Sequence, residues 1–498
     1  MKAEATDSYS HVLKYTGVFG GVQGLNILVG LVRNKLIALL LGPGGMGLAS
    51  LFTTVVNFIS QATNLGISFS AVKHVSELFD RGDEAATAQF VKVVRAWSLL
   101  TALFGMLVCV VAGPLLSNFT FSWGDHTLHF VLLAPAVALM AISGGETAIL
   151  KGARQLRSLA VIQVYNIVLA LIVSVPLYYF FGQTAIVPVI VLMALMAMLI
   201  TVRHSYRLFP LHLSGSKGVL GEGMEMVRLG MAFIVAGVLG SGAEMLIRSY
   251  LNVVADLNEV GLYNAGFMLT VTYAGMVFSA METDYFPRLS GVQHDVQLQN
   301  QTVNRQIEVS LLIVSPMLAL LIVLLPVLLP MLFSSQFLPV VPMAQVAVFS
   351  MYVKALSLPI SYVTLAKGDS VAYMVLEAVY DLVLVLFIVI GYRFWGLFGT
   401  GVALSLSYVF DILLVYGYVS VRYHYRPTLQ VLQYTAIQLP LGIAVYIVTL
   451  IDSPLIYWSL GLLLCFVSTA ISVYVLHQKT SLWSALITKF KSRFHRHD

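Results

Sequence analysis

Arg33, Lys35, Arg248 and Lys354 are cations set inside long apolar runs of this 498-residue chain. A charge near the centre of a bilayer costs at least about 2.5–3.5 kcal/mol on insertion scales, so those that persist need a partner or a task. Arginine grips phosphate-like oxygens bidentately, and lysine acts as a point charge. Four such residues suit an anionic ligand. Acids occupy the same kind of surroundings: Glu146, Glu244, Glu377, Asp381 and Asp411. Glu377 and Asp381 are one helical turn apart and share a face. Two close carboxylates in a low dielectric resist being charged together, which suits a proton relay or a sodium site. Plainer readings stay open. Arg248 follows Glu244 by four positions, so an intrahelical pair that neutralises both is the alternative there. Pairing with Lys354 is the alternative for Glu377 and Asp381.

The elements that must position these residues are membrane helices. Apolar residues make up 59% of the chain and charged ones 10%, against roughly 45–50% and 25% in soluble domains. The excess runs the whole length, which leaves no room for a large soluble domain. A crossing takes about 20 predominantly apolar residues. Such runs lie near 12–41, 46–72, 92–116, 128–150, 158–181, 184–202, 229–251, 259–281, 306–333, 341–366, 371–394, 396–420, 430–451 and 455–476. With the N-terminus in the cytoplasm, all of the 28 Lys and Arg except Arg33, Lys35, Arg248, Lys354 and Arg393 fall on the cytoplasmic side. That is the positive-inside pattern. The fold class expected is therefore an all-α polytopic membrane protein of about fourteen transmembrane helices, with both termini cytoplasmic. The first run is too long for a signal peptide's apolar region, so no cleavable signal is expected. Past His477, Trp483, Leu486, Ile487, Phe490 and Phe494 alternate with Lys489, Lys491, Arg493 and Arg496 at helical spacing. This predicts a basic amphipathic helix on the anionic leaflet.

Enzyme signatures are absent. No phosphate-binding glycine loop, zinc-protease pair or zinc-spaced cysteine cluster occurs. Cys109 and Cys465 both lie in apolar runs, so no disulfide framework is expected. The longest loop, near 203–228, is short for a catalytic domain. No cofactor, metal or nucleic acid is expected as a partner; membrane lipids are.

The chain repeats itself. Arg33 precedes "LLLGPGGMGLAS" and Arg248 precedes "DLNEVGLYNAG", with the two arginines 215 positions apart. "LKGARQLRSLAVIQVYN" from Leu150 matches "AKGDSVAYMVLEAVYD" from Ala366, and Lys151 and Lys367 are 216 apart. Two matches at one offset argue for two six-helix halves, an arrangement that places a transporter's substrate between them. The expected organisation is an N-terminal lobe at 1–203, a cytoplasmic linker at 204–228 and a C-terminal lobe at 229–421. Two further helices follow at 422–477, then the basic tail at 478–498.

"LIALLLGPGGMGLASLF", "LGISFSAVKHVSE", "ILKGARQ", "EVGLYNAGF" and "LAKGDS" together resemble the polysaccharide-export (Wzx-type) flippases. Those belong to the multidrug/oligosaccharidyl-lipid/polysaccharide (MOP) exporter superfamily, and the resemblance spans roughly 12–418. It implies a V-shaped pair of six-helix lobes working by alternating access. It also implies an undecaprenyl-pyrophosphate-linked oligosaccharide, an O-antigen unit or similar, carried to the periplasmic leaflet of a bacterial inner membrane. A polysaccharide polymerase of the same pathway is an implied partner. The helix count is similar to the lipid II flippases, whose last pair forms a lipid groove. A lipid II-type flippase, a drug/cation antiporter of the superfamily and a polytopic pathway enzyme are the alternatives. On this reading Arg33 and Arg248 hold the pyrophosphate, with Lys35 and Lys354 adding field. Lys73 resembles a basic cavity residue of the lipid II branch, with an ordinary positive-inside role as its alternative. Glu377, Asp381, Glu244, Glu146 and Asp411 are candidates for coupling to H⁺ or Na⁺. Trp123, His126, His129, Tyr263 and Tyr273 are sugar-binding or interfacial-belt aromatics.

Overall fold

The computed structural model describes residues 2–121, 124–210 and 219–479. Among these the chain is helical and forms no strand. The cause is the solvent: lipid offers no hydrogen bonds, so each crossing must satisfy its backbone internally. Trp123 and nearly all of the basic tail (480–498) lie outside the described residues.

Helix α1, Lys2–Thr63, bends at Gly42, whose φ of 63° only glycine takes at little cost. Pro43 follows, removing a donor and disfavouring helical geometry in its predecessor. The junction expected between the first two crossings is therefore Gly42, where two helical segments meet at a kink. Next come α2 (Ile67–Asp80), α3 (Glu84–Val111), α4 (Gly113–Thr120), α5 (Thr127–Gly152), α6 (Leu156–Phe181) and α7 (Ile186–Leu208). The Asp83 carboxylate caps α3 by accepting from the Ala86 N–H at 2.9 Å. Then follow α8 (Val219–Val254), α9 (Leu257–Phe267), a π-helical turn at Met268–Tyr273 and α10 (Ala274–Gly291). The remainder is α11 (Val296–Leu332), α12 (Val341–Ala347), α13 (Phe349–Ala366), α14 (Ser370–Tyr423), α15 (Leu429–Thr449) and α16 (Pro454–Lys479).

Ten stretches among the described residues are long and apolar enough to cross a bilayer. Several cross more than once. Helix α14 has 54 residues, about 80 Å at 1.5 Å per residue, against a hydrocarbon core of about 30 Å. It turns back at Gly396, with φ 56°. A Cβ on Gly391 or Gly399 would strike the other's carbonyl, so the two arms meet backbone to backbone. Dividing the three stretches that hold two crossings each gives thirteen, and the 36-residue helix α8, outside those ten, makes up the fourteen expected.

Two compact units result: Met1–Asn264 with Pro330–Phe337, and Ala265–Leu329 with Leu338–Asp498. In the first, Ile67, Ala71, Val75, Val91, Val94, Trp97 and Ile149 form a buried cluster joining α2, α3 and α5. Glycines set that spacing, since a Cβ on Gly145 or Gly152 would run into Ser98 or Val75. Close approach through small residues is the usual way membrane helices pack. Helix α8 packs in this unit, where the Asn252 amide donates to the Thr120 carbonyl at 2.8 Å. In the second unit the Tyr352 hydroxyl donates to the Ser315 carbonyl and that of Tyr457 to Val323, tying α13 and α16 to α11. Helices α15 and α16 are joined by Gln438, which donates to the Ser472 hydroxyl at 3.0 Å and accepts from Ser468 at 2.6 Å. These units are units of packing. The lobes at 1–203 and 229–421 are defined by repetition in the sequence, a separate criterion.

Candidate substrate and coupling sites

Arg248 is 5% exposed on α8. Its Nε donates to the Ser50 hydroxyl at 2.9 Å, Nη1 to the Glu244 carboxylate at 3.1 Å, and Nη2 to the Asn264 Oδ1 at 3.4 Å. Ser50 in turn donates to Asn264 at 3.1 Å. The pairing with Glu244 is the intrahelical one that the spacing allows, and the Glu244 side chain is 48% exposed. The guanidinium also stands 6.0 Å from the Tyr263 ring centroid. Helices α1, α8 and α9 thus share one polar knot.

The knot has a backbone cause. A Cβ on Gly47 would land on the Leu257 carbonyl, and one on Gly261 on the Pro43 carbonyl. These glycines belong to the two repeated motifs, which therefore cross each other inside the first unit. Ser50 and Asn264, each three residues further on, become hydrogen-bond partners for the same reason.

Arg33 and Lys35 lie on α1 before the kink. Arg33 Nε donates to the Ser174 hydroxyl of α6 at 3.2 Å. Lys35 Nζ donates to the Pro330 carbonyl at 2.6 Å. That carbonyl belongs to the last turn of α11, where backbone acceptors are orphaned and a cation is favoured. Lys73 is exposed on α2. These residues and Arg248 all belong to the first unit, whereas Lys354 belongs to the second. Lys354 is half-buried, with Nζ 5.8 Å from the Phe278 ring centroid.

The acids separate into two kinds. Glu146, on α5, is buried against Arg95 of α3 at 2.8 Å. Arg95 also donates to the Phe209 carbonyl at 2.9 Å and stacks over the Tyr206 ring at 4.1 Å. By sequence Arg95 reads as one more cytoplasmic cation. The available signal was Glu146 itself, an intramembrane acid that requires a partner. The second unit holds the other kind. Glu377 is hydrogen-bonded with Tyr373 and lies within electrostatic reach of Asp411, Asp381 and Lys354. Asp411 is hydrogen-bonded with Ser357 and feels the same Lys354. Tyr380 and Tyr408 pack beside them, ring centroids 5.3 Å apart. The turn at Gly396 brings Asp411 to Glu377 across 34 residues, a proximity that spacing alone does not reveal. Among the described residues no three Asp, Glu, His or Cys groups converge as metal ligands.

The outer aromatics are packed inward. His126 is buried 4.1 Å from Phe121 and 5.0 Å from His129, which stacks on Phe52 at 5.6 Å. Tyr263 is buried beneath Arg248, and Tyr273 ends the π-helical turn. Outside the crossings, hydrogen bonds from the Thr127 side chain and backbone hold the Asp125 carboxyl below the usual carboxylate range.

Ten stretches able to cross a bilayer, with charge clusters set within them, define a multi-pass membrane protein. Residues 36–342 match the model of a family described as polysaccharide biosynthesis protein, and the chain belongs to that family. It is 24% identical over 307 residues to the lipid III flippases of Escherichia coli (strain K12) and Shigella flexneri, covering 59% of this chain and 70% of each relative. In fold it is similar to the lipid II flippase MurJ in an inward closed conformation, with a TM-score of 0.69, 13% identity and coverage of 93% of this chain and 99% of that one. It is similar also to an inward-facing multidrug resistance MATE transporter of the MOP superfamily, with a TM-score of 0.67, 15% identity and coverage of 80% and 94%.

Proposed function

We propose that this protein flips an undecaprenyl-pyrophosphate-linked oligosaccharide, an O-antigen unit or similar, from the cytoplasmic to the periplasmic leaflet. The observation that carries the reading is the Arg248 knot. Its guanidinium sits where the two repeated glycine motifs cross, and its carboxylate partner Glu244 is half exposed. A phosphate oxygen can replace Glu244 on that guanidinium, since both are oxyanions that arginine binds bidentately. The exchange loosens the link among α1, α8 and α9, so substrate binding and opening become one event, a differential affinity for two states. Arg33, on the same α1, supplies the second arginine. Lys35, on the same helix, adds field; Lys354 is proposed as a further cation for the substrate, and Lys73 attracts the headgroup at the membrane face.

Coupling falls to the second cluster. Glu377 and Asp411 share the Lys354 ammonium, with Asp381 beside Glu377, and close carboxylates in an apolar span favour taking up H⁺ or Na⁺. Glu146 and Glu244 act as ties. The lobes at 1–203 and 229–421 are the repeats that alternate, in a bacterial inner membrane with both termini cytoplasmic, and a polysaccharide polymerase consumes the product. The matching lipid III flippases support the lipid-linked substrate, and the shared fold supports the alternating mechanism.

The test is a flipping assay in proteoliposomes loaded with undecaprenyl-pyrophosphate-linked oligosaccharide, with lipid II in a parallel set. Wild type is expected to move the first, and Arg33→Gln with Arg248→Gln to abolish movement. Full activity in the double variant sinks the pyrophosphate role, and movement of lipid II alone replaces the substrate. Transport indifferent to collapsed proton and sodium gradients removes the coupling.

A further inference from the structure

Ser143, Thr147 and Lys151 follow one another at four-residue spacing on α5 and so form a stripe along one face. That face lines a cavity of about 320 Å³ within the first unit, closed on other sides by Ser68 of α2 and by Ala194 and Ala197 of α7. Small residues keep it open: a Cβ on Gly144 would come within 2.8 Å of the Ser68 hydroxyl. No carboxylate lines it.

The polar groups here behave unlike their neighbours. Thr63, Ser70, Ser98, Ser174 and Thr201 each donate to the carbonyl one turn back in their own helix. Ser143 and Thr147 do not; neither they nor Lys151 has a hydrogen-bond or ion-pair partner among the described residues. Ser68 accepts from the Asn64 amide at 2.8 Å, which leaves its own proton to give. Lys151 is exposed and the two hydroxyls are half-buried, so these donors are open to an acceptor that enters the pocket. The repeat sharpens the contrast. Lys367, the counterpart of Lys151, donates to the Gln293 carbonyl and lies 5.8 Å from the Tyr423 ring centroid, so it is spent on a loop.

We propose that this cavity is a second headgroup subsite, binding an oxygen-rich anion through the Lys151 ammonium and the hydroxyls of Ser68, Ser143 and Thr147. One cation with three hydroxyl donors fits a phosphate or a sugar carboxylate. The proposal rests on the flippase reading for its purpose, since either anion would belong to the lipid-linked sugar. It adds a station distinct from the arginines.

Thr147→Cys in the full chain, held in nanodiscs of phosphatidylethanolamine and phosphatidylglycerol, reports the site through its reaction rate with a charged methanethiosulfonate. Cys109 and Cys465 are buried and give little background. Inorganic pyrophosphate, glucuronate and glucose are the three probes. An anion is expected to slow labelling about tenfold, the weight of one charge-assisted contact, while glucose does not. Lys151→Gln is expected to remove that protection and Lys151→Arg to keep it. Protection by pyrophosphate alone assigns the linkage, and by glucuronate alone an acidic sugar. Equal rates with all three probes, or protection that survives Lys151→Gln, overturns the site. Ser143→Cys serves the same purpose if Thr147→Cys does not assemble. A chain that shows Lys151-dependent protection but flips no lipid-linked sugar loses the flippase reading and keeps the site; an active flippase without protection loses only the site.

Discussion

Arg95 with Glu146, and Lys354 with Glu377, Asp381 and Asp411, are both charge clusters inside membrane helices, yet they are built oppositely. The first is balanced, one cation to one acid, with side chains 9% and 4% exposed and the remaining guanidinium contacts made by a hydroxyl, a carbonyl and an aromatic ring. The second sets Glu377 and Asp411 about one lysine, with Asp381 beside Glu377, and its members are half-buried. A balanced, sealed pair has nothing to exchange, so it fastens helices. An unbalanced one gains from a mobile ion. The Arg248 knot stands between them, balanced but with its acid half in the open.

The largest effect should come from breaking the sealed pair. Glu146→Gln leaves Arg95 buried without its counter-charge, which costs about 3–5 kcal/mol. A large drop in thermal unfolding temperature in detergent is expected, and an unchanged one would make the pair ornamental. Gly261→Ala should come next: its Cβ meets the Pro43 carbonyl, and overpacking of this kind costs about 1–3 kcal/mol. Lost flipping with a lowered melting temperature is the expected pair of readings. Glu377→Gln or Asp411→Asn tests the other side of the contrast. Stability should change little, while the dependence of flipping on an imposed ion gradient disappears; a melting shift as large as that of Glu146→Gln would put both clusters in one class.

The smallest effect is at Asp369, in the turn before α14. Hydrogen bonds from the Tyr423 hydroxyl at 2.6 Å, the Ala372 N–H at 3.1 Å and the Tyr418 hydroxyl at 2.9 Å hold its carboxyl below the usual range. A lowered folded-state pKa means stability that is complete above the ordinary carboxylate value and fades as pH falls through the lowered one. Melting temperature should therefore drop more steeply below about pH 4 in wild type than in Asp369→Asn. Parallel curves would show that the tyrosines contribute nothing.

Composition and run length were enough to establish a helical membrane protein and its approximate number of crossings, because lipid leaves the backbone no alternative to the helix. The Gly-Pro junction at Gly42 and the repeated arginines were equally legible, since they depend on local backbone geometry and on similarity along the chain. Partnership was not. That Glu146 answers Arg95, that Lys35 caps α11, that Asp411 reaches Glu377 and that Ser143, Thr147 and Lys151 open onto a cavity all depend on which helix faces are brought together. Only the packed structure decides that, because most faces of a membrane helix are apolar and the pattern that marks an inward side in water is largely erased.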